Sequence, residues 1–374
     1  MWTVSWCLML VASWRMVRAR KSIVPPSFSV ACGIISPRVS PKMRILVVKF
    51  SGLRGALAAT AGIRSIRERH PGATFTFVTL PDSEPALEGC PAVVEVLGVN
   101  PSQGLFSVIA HLRRQRFDVA IALGGHPRAL RLVALSGARK RVCAGHASFL
   151  LRPFYHRKVF GTAVDPHEAA RDHEVMAQAL GFHAEPPAMW FAPSRMQEHG
   201  LLVEDRRYAV IHPGSSRPER ILEIDKWAAV ARELVSNYSV DRIVVSAGVA
   251  GEERIMAEAL CGLIGPVAMS TAGRLRFAQV AKLIQGARLF LGSDSSVLQL
   301  AAAVGTPVVG VFGPSDYARA RPWGTINRVV RVDTAHYEGE PQRDYLIRMD
   351  RAMARITSAQ VSRAAEEVLR ITAP

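Results

Sequence analysis

The chain has 374 residues, with 47 Lys and Arg against 31 Asp and Glu, a net charge of +16, and five cysteines set far apart with no C-x-x-C spacing. That length suits two domains of ordinary size, and the cysteine pattern indicates neither a disulfide framework nor a zinc site. The charge suits an anionic partner, and a generally basic proteome would produce it with no partner at all; scattered basic residues, no zinc-finger spacing and no aromatic RNP pattern argue against nucleic acid, so an anionic membrane surface or a phosphorylated substrate is the better partner.

The first 42 residues place the apolar run Trp2 to Trp14 ahead of Arg15, Arg18, Arg20 and Lys21, the reverse of a secretory signal. The run is shorter than the ~20 residues that span a bilayer, though with its basic tail it suits a membrane interface. Because MRILVVKF from Met43 opens a strand with no need of a leader, residues 1–42 read as an extension, disordered or ahead of the true start. From there strands and helices alternate: Ile45 to Phe50, Ala56 to His70, Thr74 to Leu80, Val93 to Val96, Pro101 to Arg116, and Val119 to Leu123. Such alternation predicts a doubly wound parallel sheet. A helix from His167 to Leu180, stopped by Gly181, leads into Glu185-Pro186-Pro187, a proline-bearing interdomain linker.

The second half repeats the plan with Tyr208 to His212, Lys226 to Ser236, Arg242 to Ser246, Glu252 to Leu260 and Arg276 to Ile284. Next comes the most informative stretch. Arg288 to Gly292 is an apolar strand, Ser293-Asp294-Ser295-Ser296 offers N-capping groups, Val297 to Val304 is a small-residue helix ended by Gly305, and Thr306-Pro307 starts another strand. In a parallel sheet this puts a helix N-terminus at the carboxyl edge of the strands, where phosphates bind; an ordinary capped βαβ unit has the same pattern. The helix Ser358 to Leu369 closes the chain. The expected domains are 43–190, 191–345, and a C-terminal segment 346–374 that packs back on the first.

Two turns add chemistry. His212-Pro213-Gly214-Ser215-Ser216-Arg217 follows a strand and suits close approach of backbone to phosphate, with Arg220 nearby. Ser246-Ala247-Gly248 is followed by Glu252 and Glu253, either of which also suits a helix start.

Asp294, Ser295, Ala301, Ala303, Gly305-Thr306-Pro307 and Phe312-Gly313-Pro314, together with MRILVVKFSGLRGALAATAGIRSIRERHPGATFTFVT, FDVAIALGG, LSGARKRV and HPGSSRPER in that order, carry a family resemblance over roughly Met43 to Leu369. The chain resembles the ADP-heptose lipopolysaccharide heptosyltransferases, a branch of the GT-B glycosyltransferases (family nine). The resemblance implies an α/β fold of GT-B type, two Rossmann-like doubly wound domains facing across a cleft. It implies transfer of a sugar from an ADP-linked donor to a lipopolysaccharide core acceptor by direct, inverting displacement, without cofactor or metal; no Asp-x-Asp occurs in the chain. It also implies a cytoplasmic protein at the inner-membrane surface with an anionic glycolipid acceptor, which the basic stretch Arg139 to Lys158, carrying His146 and His156, would face. Donor-binding roles fall on Ser215, Ser216, Arg220, Asp294, Ser295, Ser296 and Gln299, and nucleoside contact on Glu252.

Departures from that pattern are equally specific. Arg220 replaces a lysine, Ser296 a glycine and Gln299 a histidine. The family's Ser-x-Gly-Asp, whose aspartate is the general base, places Arg54 and Gly55 at its last two positions, and the first acidic residue of the chain is Glu68. Arg54 stays protonated and cannot be a base, although it points an anion-binding fork at the cleft. His126, after Gly124-Gly125 at a strand end, is the substitute base the sequence offers. The missing aspartate predicts a slow enzyme, a base borrowed from elsewhere, or no transfer at all; the last is the alternative of a degenerate member that binds nucleotide sugar or glycolipid beside an active transferase. A Rossmann-like reductase is disfavoured because no G-x-G-x-x-G follows the first strand.

Overall fold

A computed structural model describes residues 43–373 apart from 101, 103, 146, 160–163, 194–206, 239 and 338; the extension 1–42 therefore lies outside the described residues. In the first domain β1 (Arg44–Val48) leads to α1 (Leu53–Arg69), β2 (Thr74–Thr79), α2 (Pro85–Glu88), β3 (Val93–Gly98), α3 (Phe106–Arg114), β4 (Val119–Ala122), α4 (Pro127–Leu135), β5 (Lys140–Ala144), β6 (Arg157–Val159) and α5 (Glu168–Leu180). The second contains β7 (Tyr208–His212), α6 (Ile224–Asn237), β8 (Arg242–Val245), α7 (Gly251–Ile264), β9 (Ala268–Ser270), α8 (Phe277–Gly286), β10 (Leu289–Ser293), α9 (Ser296–Ala303), β11 (Val308–Phe312), α10 (Tyr317–Ala320), β12 (Asn327–Arg331), α11 (Gln342–Asp350) and α12 (Ser358–Ile371).

The strand order is β3-β2-β1-β4-β5-β6 in one sheet and β12-β11-β10-β7-β8-β9 in the other, with parallel pairing throughout. Read in chain order within each half, both are the Rossmann order 3-2-1-4-5-6. Central strands are near-continuous apolar runs, as burial on two faces demands: YAVIH of β7 and LFLGS of β10 are buried at every position. The strand order reverses between β1 and β4 and between β7 and β10, and the crevice at the carboxyl ends of these four strands is where such folds bind ligands.

Small residues bring the helices close. A Cβ added at Gly62 of α1 would lie 2.4 Å from Met176 Sδ of α5, so glycine sets that crossing distance. On its other side α1 meets α9. One buried apolar cluster joins β1, α1 and α5 to α8, α9 and Phe290 of β10, so the interior is continuous through both domains. Gly181 ends α5 at φ +81° and Gly305 follows α9 at φ +83°, left-handed positions at which only glycine is unstrained.

Three expectations change. The stretch Arg139 to Lys158 contributes two strands to the first sheet, β5 and β6. Arg157 and Lys158 lie in β6, the edge strand, where charge is tolerated, and Lys140 and Arg141 occupy the half-buried start of β5; together they mask the apolar pattern. Helix α4 was also hidden, its start marked only by His126-Pro127. The closing helix α12 packs against α6 and β10 to β12 of the second domain, not back on the first: Val361, Ala365 and Val368 share a buried cluster with Ile211, Trp227 and Val311. Its amphipathic stripe determines that it is buried somewhere, and the open face of the second sheet beside α6 is adjacent.

Candidate active site

At the carboxyl edge of the second sheet, β10 runs into Asp294 and then α9. Asp294 is 1% exposed. Its carboxylate takes one guanidinium from each domain, Arg220 at 2.9 Å and Arg54 at 3.5 Å. Ser215 Oγ donates to the Asp294 carbonyl at 3.1 Å, tying the turn after β7 to the turn after β10. Ser295 caps α9 by accepting from the Leu298 N–H at 3.3 Å. Ser216, Arg220, Ser295 and Ser296 line a cavity of about 480 Å³ that Arg54 and Gly55 complete from the first domain. Two guanidinium forks and a helix N-terminus converging there make a site for a polyanion.

Beside it lies a cavity of about 310 Å³ with apolar walls from Leu275, Phe277, Val280 and Leu300 and a polar rim from Ser246, Gly248 and Glu253. Glu253 Oε2 accepts from the Gly248 N–H at 2.6 Å, which fixes the loop after β8. His212 at the back contacts the Ser246 carbonyl and Oγ at 3.1 and 3.0 Å, and burial lowers its pKa so the ring stays neutral. A cavity with one apolar wall and one polar rim, next to a polyanion site, suits a nucleoside diphosphate.

Across the cleft, the first domain carries a cluster that its sequence conceals. Lys49, just past β1, is buried and donates to the Gly55 carbonyl at 2.8 Å, to Glu168 Oε1 at 2.8 Å and to Asp172 Oδ2 at 2.5 Å. Glu168 and Asp172 sit four apart on α5, where like charges repel unless a cation stands between them. Burial raises both carboxyls, but only one stays up. For Glu168 the Lys49 ammonium and then the Arg54 guanidinium outweigh burial and hold it below the usual carboxylate range. For Asp172, burial dominates the pull of Lys49 and pushes it up to about 6, as expected when two carboxylates share one ammonium. Lys49, Gly124, Gly145, Glu168, Arg171 and Arg319 line a third cavity of about 580 Å³.

The family model described as glycosyltransferase family 9 (heptosyltransferase) matches residues 105–349. The chain belongs to glycosyltransferase family 9. It is 25% identical over 333 residues to lipopolysaccharide heptosyltransferase 3 of Escherichia coli, covering 84% of this chain and 95% of that one. It is 23% identical to the lipopolysaccharide core heptosyltransferase OpsX of Haemophilus influenzae, covering 80% and 86%. In three dimensions it is similar to E. coli heptosyltransferase WaaC with ADP, at a TM-score of 0.69 and 20% identity over 87% of this chain and 100% of that one. The GT-B architecture of two facing Rossmann-like domains is thereby shared.

In this family 9 glycosyltransferase the expected donor residues separate into two groups. Ser215, Ser216, Arg220, Ser295 and Ser296 border the cavities. Asp294 borders one too, yet as the counter-ion that aims Arg54 and Arg220 rather than as a ligand for anions. Gln299 is set apart from them: it is buried in α9, donates from Nε2 to the Ala320 carbonyl at 2.6 Å and lines none of these cavities. Glu252 is exposed in the first turn of α7, whereas its neighbour Glu253, the other candidate the sequence offers, lines the slot.

His126 is not placed as a base. It is the N-cap of α4, and its Nδ1 accepts the Arg128 N–H at 3.2 Å. A backbone N–H can only donate, so the acceptor nitrogen of the neutral ring is already engaged. His156 likewise accepts the Arg141 N–H through Nδ1 at 3.1 Å, and His146 lies outside the described residues. Lys49, Glu168 and Asp172 were missed; the available signals were a lysine ending an apolar strand and two carboxylates at i, i+4 opening a helix. A larger cavity of about 830 Å³, lined by His173, Glu185, Tyr317 and Trp323, shares no residue with these three. Among the described residues no group of three His, Cys, Asp or Glu is arranged for a metal, and no helix is long and apolar enough to cross a membrane.

Proposed function

We propose that this family 9 glycosyltransferase moves heptose from an ADP-linked donor to a lipopolysaccharide core acceptor by direct, inverting displacement. The observation that carries the reading is the line of three cavities along the cleft. The nucleoside enters the slot beside Phe277 and Glu253, and the diphosphate lies against Arg220, Arg54 and the N-terminus of α9. The sugar then faces the first domain, whose own cavity holds the acceptor hydroxyl. As the bond from the anomeric carbon to the phosphate oxygen breaks, negative charge grows on the leaving diphosphate, where the guanidiniums and the Ser295 and Ser296 turn stabilise it. Named relatives from E. coli and H. influenzae act on lipopolysaccharide, and the WaaC structure carries ADP, which supports donor and acceptor class alike.

Membrane contact belongs to the same proposal. Phe149 and Leu150, 86% and 80% exposed, stand in the loop between β5 and β6, with Arg152 beside them. Aromatic and aliphatic side chains with basic neighbours suit an anionic lipid interface, with the molecule held at the cytoplasmic face. The test is release of ADP by the full purified chain given ADP-heptose and a deacylated core acceptor. Turnover that requires both substrates is expected; tight ADP-heptose binding without acceptor-dependent ADP release would instead establish the non-catalytic binding role.

A further inference from the structure

Transfer to a hydroxyl needs a group that removes the hydroxyl proton as its oxygen attacks, and that group has to stand where acceptor and donor meet. Among the described residues, four carboxylates line the polyanion cavity or the first-domain cavity: Asp82, Glu168, Asp172 and Asp294. Asp294 is shut away with a guanidinium on each oxygen. Asp172 has a side chain only 10% exposed and lies behind Lys49. Asp82 is an exposed residue of the turn after β2 and borders the polyanion cavity alone.

Among the described residues, Glu168 alone lines both cavities. Its side chain is 26% exposed. Lys49 engages Oε1, whereas Oε2 has only the looser contact with Arg54 Nε at 3.9 Å, so Oε2 keeps lone pairs for an incoming hydroxyl. The glycine at position 55 makes this possible: a Cβ there would lie 2.8 Å from Glu168 Oε1 and 2.4 Å from Ser51 Oγ. A carboxylate from α5 thus stands over the first turn of α1, in space that a side chain on α1 would otherwise fill.

We propose that Glu168 is the general base of the transfer reaction, a catalytic residue delivered by α5 in place of one on α1. The assignment rests on the transfer reaction proposed above. Glu168 Oε2 takes the proton of the acceptor hydroxyl, whose oxygen forms the new bond to the anomeric carbon. The old bond from that carbon to the diphosphate oxygen breaks, and its electron pair leaves with ADP. The proton on Glu168 passes to solvent, so the balance is donor plus acceptor alcohol to glycoside, ADP and one proton. Lys49 acts as a positioning residue that holds Oε1 and keeps the carboxylate ionised.

The experiment is steady-state kinetics of the full chain with ADP-heptose and deacylated core acceptor, comparing wild type with Glu168→Gln, which keeps the volume and an oxygen for Lys49. The expected result is a kcat lower by on the order of 10²-fold to 10⁴-fold, an unchanged Kd for ADP, and loss of the acid limb of the kcat profile. An unchanged kcat, or a lowered kcat that retains the acid limb, overturns the assignment, the second outcome reducing Glu168 to a partner of Lys49. If Glu168→Gln fails to fold, Glu168→Asp keeps the charge and withdraws it by one methylene; wild-type kcat in that variant overturns the assignment equally. A wild-type protein that never releases ADP overturns the transfer reading itself, a result separate from an active wild type matched by Glu168→Gln.

Discussion

The two halves of the molecule share one topology and assemble their sites in opposite ways. In the second domain each polar side chain of the site follows closely on the strand that aims it: Ser215, Ser216 and Arg220 after β7, Glu253 after β8, Ser295 and Ser296 after β10. In the first, Lys49 leaves β1 and meets Glu168 and Asp172, 119 and 123 residues on, at the start of a helix that crosses behind the sheet. A site for phosphate can be made from backbone N–H groups and a cap, which are local by nature. A carboxylate poised beside a lysine needs burial and partners, and any element that reaches the spot can supply them.

This contrast is sharpest at Asp294, where the halves meet. Asp294→Asn leaves two guanidiniums without their shared counter-ion, and we expect a loss of stability of about 3 kcal/mol, read as a lower Tm, together with weaker ADP binding by isothermal titration. If only ADP binding changes, the Arg54 contact contributes nothing to joining the domains.

The locality of the donor side is tested by neighbours. Glu253→Ala frees the loop after β8 and should weaken ADP binding about tenfold, the worth of one charge-assisted hydrogen bond, whereas Glu252→Ala on the outer face should leave the Kd alone. Equal effects would mean that α7 acts through its charge rather than through one side chain.

On the first-domain side, His167 gives a pH-dependent reading. Its Nδ1 accepts the Ala169 N–H at 3.0 Å and its ring contacts the Arg321 carbonyl through Nε2 at 2.9 Å. Burial lowers its pKa to about 4. A depressed histidine contributes stability that is complete above pH 6.5 and is lost as pH falls toward 4, because the unfolded chain binds the proton first; the slope approaches 1.4 kcal/mol per pH unit for one proton. Asp172, raised to about 6, acts in the opposite sense between pH 4 and 6. The readout is therefore the difference in Tm between wild type and His167→Asn, a non-titrating cap, at pH 7 and pH 4.5; the variant should lose less on acidification. The smallest effect belongs to His126→Ala, expected to cost about 1 kcal/mol through the lost cap of α4 with kcat unchanged. A collapse of kcat there would restore His126 to the chemistry.

The fold was legible because burial writes itself into apolar runs such as YAVIH and LFLGS, and glycines at 181 and 305 marked two helix ends. Strands β5 and β6 escaped because lysine and arginine at the half-buried start of β5 and along the edge strand β6 break the apolar pattern. Helix α12 was seen as a helix, but its amphipathic stripe cannot name the surface it covers. In the site, serines near strand ends were legible for the reason that made them local. For Gln299 the motif position points to the cavity, whereas its amide reaches back to the Ala320 carbonyl, a contact no sequence pattern announces. Gly55 signalled a missing carboxylate, and only the folded chain brings Glu168 over it.

The continuous interior also bears on how the molecule comes apart. Met176 of α5, Ile63 of α1 and Leu298 of α9 belong to one buried cluster with Phe290 of the second sheet. Neither half can be exposed to water without stripping the other of packing it depends on. Residues 43–373 should therefore melt in a single calorimetric transition, with van't Hoff and calorimetric enthalpies in agreement, and either half expressed alone should present a sticky apolar flank where its companion belongs.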